Sequence, residues 1–519
     1  MSEFQFPSFK LLQPLEHEAT FLTPPKKSSL LPTQPPQSMV PWTQAFTTEQ
    51  LFSFVGDGYT DMGKLYRPTG FFGFNDVHGL VLMAHGQLPA KFSEAYKYAM
   101  DHIGRLLAHR GYVCISVAPV PPKGEPNNFS KGTTATLIRH LVHVNGIFGN
   151  QFFIKGKPLA LIGHSQGGGR AVEAAIMITK SKIAGYTKVD AIIGLAPTYV
   201  SIGSERPTDA YLCMAGTCDG DTPVSTFPGV ALETYGNLSQ IKERYFLMMD
   251  RCNHRQFTQR SPSEKDYSLP DNLKKGPIIG SDAQNVAVAQ YSTMFLLWKL
   301  QGLGEYRAVF IGEKRLNLVS NNTEIQTDFN SLRVLPRFDR SRNVVLASLP
   351  EAFSATNILA YKNPPQNSYK PLQEFDISCN TEKTRALVRV WNASIKSKIS
   401  FICDQSRLSV QIAAVEFHAI VLAQLDVSAS DVKAANVEVY FMYGKDGALK
   451  SAPVQVNIEH SWSFFPQFSV LSTIRIPMAL FGFKSLSEQA SAVKLVIDFT
   501  NCNRKTGAIA FTNCRLAFS

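Results

Sequence analysis

Residues 163–167 read Gly-His-Ser-Gln-Gly, and no other segment constrains this chain as much. The apolar run Leu159-Ala160-Leu161-Ile162 precedes it and predicts a strand. Gly168-Gly169-Arg170-Ala171-Val172-Glu173-Ala174-Ala175-Ile176 follows it, with the small and apolar faces of a helix. A G-x-S-x-G turn between strand and helix holds its serine in a strained backbone conformation and lifts the hydroxyl above the sheet edge. Gly163 and Gly167 suit the turn because side chains there would clash where strand and helix pack closely. This context predicts Ser165 as a nucleophile, against the alternative of an ordinary glycine-rich turn.

A serine hydroxyl is a poor nucleophile until a base takes its proton. The base in turn needs a carboxylate to fix its tautomer and to stabilise the imidazolium that forms. The apolar run 210–215 ends in Gly216-Thr217-Cys218-Asp219-Gly220-Asp221-Thr222-Pro223-Val224, which offers two acids. Asp219, four residues before Pro223-Val224, is the first candidate. Asp221 is the alternative acid, and Asp-Gly-Asp is also a turn signal. The run 244–249 ends in Asp250-Arg251-Cys252-Asn253-His254, and His254 is the expected base. His164 neighbours the nucleophile, but its place in the turn is expected to point it away from Ser165.

The run 78–84 ends in Ala84-His85-Gly86-Gln87-Leu88. One backbone N–H from Gln87 or Leu88 is expected to face a developing oxyanion. The N–H of Gln166, the residue after the nucleophile, is expected to supply the second. Neither a metal nor an organic cofactor is needed, and none is expected.

Between about 49 and 305, strand-like runs alternate with helical patterns, which predicts an α/β domain with a mostly parallel sheet covered by helices. Strands are expected at 78–84, 112–118, 158–163, 189–195, 210–215 and 244–249. Helices are expected near 93–110, 133–147, 167–181, 228–241 and 284–301. Residues 1–48, rich in Pro, Ser and Lys, read as an extended lead-in. Residues 306–370 read as a connector. From 371 to 519 short alternating runs dominate, such as Asn436-Val437-Glu438-Val439-Tyr440-Phe441, and predict a β-sandwich.

The net charge is +11 and the isoelectric point about 9.1, but the basic residues are spread along the chain. That distribution argues against a nucleic-acid-binding arm. No apolar run is long enough to span a membrane. Met1 to Lys10 lack a charged segment followed by an apolar one. The expectation is a soluble protein, cytoplasmic or exported without a recognisable signal peptide.

Through His85-Gly86-Gln87, Gly163-His164-Ser165-Gln166-Gly167, Asp219 and His254, residues 50–305 resemble the α/β-hydrolase superfamily. Within it the chain looks most like lipase, cutinase-like and polyester-hydrolase esterases, or acetylhydrolases of similar layout. The resemblance implies ester hydrolysis on a small-molecule, lipid or polymer ester, with Ser165, Asp219 and His254 as the triad. Acyl transfer and peptide cleavage use the same constellation. In some cutinase-like enzymes a disulfide ties the acid and histidine loops, and Cys218 and Cys252 flank those loops here. Cys502 and Cys514 are a second candidate pairing, across a terminal hairpin, and a cytosolic chain would keep such cysteines as thiols. Residues 371–519 resemble galactose-binding-like jelly-roll modules, through Ile474-Arg475-Ile476-Pro477-Met478-Ala479-Leu480-Phe481 and the run 507–516. That resemblance implies a carbohydrate ligand, and a binding protein with an auxiliary hydrolase part is the competing class. Thr512-Asn513 stand where such modules carry acidic residues. Trp462, Phe464, Phe465 and Phe468 are the candidate stacking platform, or equally an aromatic core.

Overall fold

The computed structural model describes residues 46–56, 59–69, 77–86, 90–120, 129–147, 154–198, 200, 202, 204–219, 231, 234–235, 238, 240–259, 278–312, 318, 332, 334–340, 344–345, 356–357, 373–379, 382–391, 398–403, 408, 412–422, 434–459, 472–503 and 507–517. Several expectations fall outside them. These are the lead-in to residue 45, Gln87, Leu88, Asp221, most of the helix expected near 228–241, and the four candidate platform aromatics. The chain divides into two compact units. The first comprises 1–307 and 316–333, the second 308–315 and 334–519.

In the first unit, β1 (Phe46–Gly56) and β2 (Tyr59–Thr69) form an antiparallel pair. Then come β3 (Gly79–Ala84), β4 (Tyr112–Val117), β5 (Leu159–His164), β6 (Ala191–Leu195), β7 (Ala210–Gly216) and β8 (Glu243–Met249). Their spatial order is β1-β2-β4-β3-β5-β6-β7-β8. From β4 to β8 every neighbouring pair is parallel, and β2 alone runs against them, antiparallel to both β1 and β4. The reason lies in the residues. Strands β3 to β7 are buried along their whole length, as expected for continuous apolar runs with both faces covered.

Four longer helices supply the covers: α1 (Asp101–Ala108), α2 (Phe129–Ile147), α3 (Gln166–Ser181) and α4 (Ser281–Gln301). The chain leaves β3 through α1 to reach β4 on one side. It returns through α2 to β5 on the other side and continues through α3 to β6. Right-handed crossovers in opposite directions place their helices on opposite faces. Accordingly α1 packs with α4, and α2 with α3. Strand order therefore reverses between β3 and β5. The crevice beyond their carboxyl ends is where an open α/β sheet receives a ligand. The loops carrying His85-Gly86 and Ser165 both leave the sheet there.

The strands expected from sequence are present with ends shifted by at most two residues. The segment expected as one helix near 93–110 divides into a 3-10 stretch, Ala90–Lys97, and α1. The β1–β2 pair has no counterpart in the sequence expectations. Charged residues break its apolar pattern, and the structure buries those charges as pairs. Lys64 donates to Asp101 at 2.8 Å, Tyr66 Oη donates to Asp101 at 2.6 Å, and Arg139 Nη2 donates to the buried Asp61 at 2.7 Å.

The second unit is built from antiparallel pairs, with one short parallel pairing. Its short strands are β9 (Val334–Arg340), β10 (Val344–Val345) and β11 (Thr356–Asn357). One sheet has the order β11-β12-β13-β21-β15-β19, with β12 at Gln373–Cys379, β13 at Glu382–Trp391, β15 at Ala414–Leu422, β19 at Ser472–Pro477 and β21 at Gly507–Ala517. The other has β14 (Lys398–Ile402), β20 (Ala492–Asp498), β16 (Ala435–Tyr443) and β17 (Leu449–Lys450), with β18 (Val454–Ile458) on β16. Both sheets contribute to one apolar core. Val415, Phe417 and Phe511 from the first meet Val439, Phe441 and Ile497 from the second. Among the described residues, no helix is long and apolar enough to cross a membrane.

Three histidines of the first unit are held neutral by burial. His102 is pushed down to about 3 and His143 to about 4, and His140 is also lowered. For His102 a backbone hydrogen bond at Phe257 acts weakly the other way. The unfolded chain takes up these protons as pH falls through about 6.5, whereas the folded chain refuses them until far lower. Their stability contribution is thus present above pH 6.5 and is lost progressively below it. For His102 the slope reaches about 1.4 kcal/mol per pH unit. Urea unfolding between pH 7 and pH 4 is expected to show falling stability, and His102→Gln is expected to flatten the fall. An unchanged slope in that variant would contradict the assignment.

Candidate active site

Ser165 sits between β5 and α3 with φ 53° and ψ −125°. A non-glycine residue at positive φ carries strain of about 1–3 kcal/mol unless its surroundings hold it there. They do so with main-chain bonds. Ser165 N–H donates to the Leu195 carbonyl at 2.9 Å. Its own carbonyl accepts from Gly168 N–H at 2.9 Å and Thr198 N–H at 3.0 Å.

The turn is possible only because glycines surround it. A Cβ on Gly163 would occupy the Gly167 carbonyl. One on Gly167 would lie 2.6 Å from both the Ala84 and His85 carbonyl oxygens. One on Gly86 would lie 2.6 Å from Ser165 Cβ. Gly86 is therefore packed directly against the serine, and the loop after β3 lines its other side. His85 is buried there, with Nδ1 2.7 Å from the Gly86 carbonyl.

The acid and the base come together at the ends of β7 and β8. His254 Nδ1 lies 2.7 Å from Asp219 Oδ2, and the residues are 1% and 4% exposed. A carboxylate accepts, so His254 carries its proton on Nδ1 and leaves Nε2 as the basic nitrogen. The two loops are joined by their backbones. Cys218 N–H donates to the Cys252 carbonyl at 2.9 Å, and Thr217 N–H to the Met249 carbonyl at 3.0 Å. Thr217 Oγ1 accepts from Arg251 N–H at 2.8 Å, where Arg251 has φ 57°. Gly216 permits this approach, because a Cβ there would fall on the Cys252 carbonyl.

Cys218 and Cys252 are both buried, and neither is in a disulfide. The disulfide that the resemblance suggests between these loops is not formed, and main-chain hydrogen bonds do the joining. Cys502 is likewise a free thiol, so the second suggested pairing is not formed either.

Sequence reasoning missed two side chains. His164 does not stand apart from the base. Its ring lies 4.9 Å from the His254 ring, and its Nε2 lies 2.9 Å from the His254 carbonyl. Gln284, fully buried near the start of α4, forks onto the main chain of Asn253. Neither leaves a local sequence signal, because each partner is a backbone group of a distant loop. Gln166 begins α3, directly after the serine. Gln87 and Asp221 lie outside the described residues. Among the described residues, no group of three or more His, Cys, Asp or Glu side chains is placed to hold a metal ion.

No protein-family model matches the chain, and no curated protein sequence matches it.

The close approaches at the turn yield a stability test. Gly167→Ala presses a methyl group on two backbone carbonyls, neither of which can rotate away. Overpacking of this kind costs about 1–3 kcal/mol. Thermal unfolding is expected to show a melting temperature several degrees below wild type. A melting temperature equal to wild type would mean that the turn tolerates a Cβ.

Proposed function

We propose that the chain is a serine hydrolase of the α/β-hydrolase type that cleaves carboxylic esters through an acyl-enzyme on Ser165. The observation that carries this reading is the pairing of a strained serine at the reversal of strand order with a buried His254–Asp219 couple on the loops after the second and third strands along. The parallel order β4-β3-β5-β6-β7-β8 and the sequence Ser165, Asp219, His254, each following a strand end, both support it.

In the proposed reaction Ser165 Oγ attacks the ester carbonyl carbon, and His254 Nε2 takes the hydroxyl proton. Asp219 accepts from Nδ1–H throughout and stabilises the imidazolium. The negative charge that develops on the carbonyl oxygen faces the Gln166 N–H at the start of α3 and an N–H of the loop after His85-Gly86. Collapse of the tetrahedral intermediate breaks the bond to the alkoxide, which leaves with the proton from His254. Water then attacks the acyl-enzyme carbonyl and gives a proton to His254; the second tetrahedral intermediate collapses with cleavage of the bond to Ser165 Oγ, which takes that proton from His254 as the acid leaves.

For the second unit the reading is a β-sandwich of jelly-roll type, supported by two antiparallel sheets that share one core. A carbohydrate ligand for it rests on sequence resemblance alone.

Hydrolysis of p-nitrophenyl esters from acetate to palmitate, by wild type and Ser165→Ala, tests the proposal. Wild type is expected to turn over at least part of the series. Ser165→Ala is expected to lose essentially all of that activity, on the order of 10⁴-fold or more. The chain length of the optimum sorts esterase from lipase. Activity that survives in Ser165→Ala, or a wild type silent across the series, would contradict ester hydrolysis at this serine.

A further inference from the structure

We infer that Gln284 and His164 are positioning residues for His254: together they latch the backbone of residues 253 and 254 and so set the base against Ser165. The inference rests on the proposed hydrolase reading and names a part of that site which the triad alone does not supply.

The geometry has three elements. The loop after β8 leaves the sheet through a strained Arg251 and reaches His254 in helical conformation, φ −60° and ψ −46°. At residue 253 the Gln284 side chain meets the main chain twice. Its Oε1 accepts from Asn253 N–H at 3.0 Å, and its Nε2–H donates to the Asn253 carbonyl at 2.9 Å. A primary amide here imitates a neighbouring strand, and both residues are fully buried. Asn253 passes the order on, since its Oδ1 accepts from Gln256 N–H at 2.8 Å.

At residue 254 the second contact comes from the elbow itself. The His254 carbonyl can only accept, so His164 carries its proton on Nε2 and donates it at 2.9 Å. His164 is the residue before the nucleophile. One covalent link and one hydrogen bond therefore connect Ser165 to the base. The His164 ring also packs at 4.9 Å on the His254 ring, which limits how that ring can tilt. Asp219 holds the imidazole at Nδ1. The latch fixes the backbone from which that ring projects. Water cannot substitute readily, because Gln284, Asn253 and His164 are all buried.

Positioning of this kind is felt in turnover. A misplacement near 1 Å lowers rate by up to about a hundredfold. The test is steady-state hydrolysis of p-nitrophenyl acetate across pH by wild type and four variants. Gln284→Leu and His164→Phe keep bulk and remove the hydrogen bonds. Gln284→Glu keeps the acceptor to Asn253 N–H and loses the donor. His164→Gln offers an N–H again from a shorter side chain.

Gln284→Leu and His164→Phe are expected to lose roughly ten- to a hundredfold in kcat with KM nearly unchanged. The acidic limb of kcat/KM is expected to move to lower pH, because a base held less well by Asp219 gives up its proton more readily. His164→Gln is expected to recover most of the loss, and Gln284→Glu to fall between. General destabilisation would lower the melting temperature without moving the limb. Where the apolar variants do not fold, Gln284→Glu and His164→Gln carry the test by the same limb. Folded variants with wild-type kcat and limb, or with a raised KM alone, would overturn the assignment while ester hydrolysis stands. A wild type inactive on the ester would overturn the hydrolase reading and this assignment with it.

Discussion

A serine backbone at φ 53° is the constraint around which the first unit is arranged. Left-handed backbone is costly for a residue with a Cβ, so the turn persists only where other interactions determine it more strongly. Here three backbone hydrogen bonds fix both sides of the Ser165 peptide, and glycines at 86, 163 and 167 bring three chain segments into contact around it. The result is a buried serine held between the end of β5 and the start of α3, with the N-terminal end of that helix directly after it. Regular secondary structure could not present a hydroxyl in this way.

The topology gathers the residues of the proposed site around that point. Because the chain moves outward from β3 to β4 and then back across to β5, the strand order reverses between β3 and β5, and the loops after these two strands meet at Gly86 and Ser165. β7 and β8 lie farther along the same edge and bring their own loops to it. Those loops are paired by backbone bonds from Cys218 and Thr217, and they hold Asp219 and His254 at 2.7 Å. Burial of the couple matters chemically. Away from water, a carboxylate stabilises a neighbouring imidazolium far more than it would at the surface. Cys218 and Cys252 form no disulfide, so this arrangement needs no covalent tie.

Much of this was legible in the sequence, for definite physical reasons. Strands β3 to β8 were readable because both faces are covered, which leaves continuous apolar runs at strand length. The serine turn was readable because only glycine tolerates the approaches at 163 and 167. Asp219 and His254 were readable because each closes such a run. The β1–β2 pair was not, although Asp57-Gly58 between the strands is a hairpin-favouring pair. Its Asp61 and Lys64 look like solvent-facing residues until Arg139 and Asp101 bury them. His164 and Gln284 were invisible for a related reason. They bind main-chain atoms 90 and 31 residues away, and no residue type at those positions announces it.

The central claim is that Ser165 is activated by the His254–Asp219 couple. Reaction with a fluorophosphonate, followed by intact-mass and peptide-mass analysis, addresses it directly, since the reagent needs an activated serine and no knowledge of the substrate. The account predicts one phosphonyl group per chain, carried on Ser165, with the reaction slowed by several orders of magnitude in His254→Ala. An unlabelled chain, a label on another serine, or labelling at the wild-type rate in His254→Ala would contradict it.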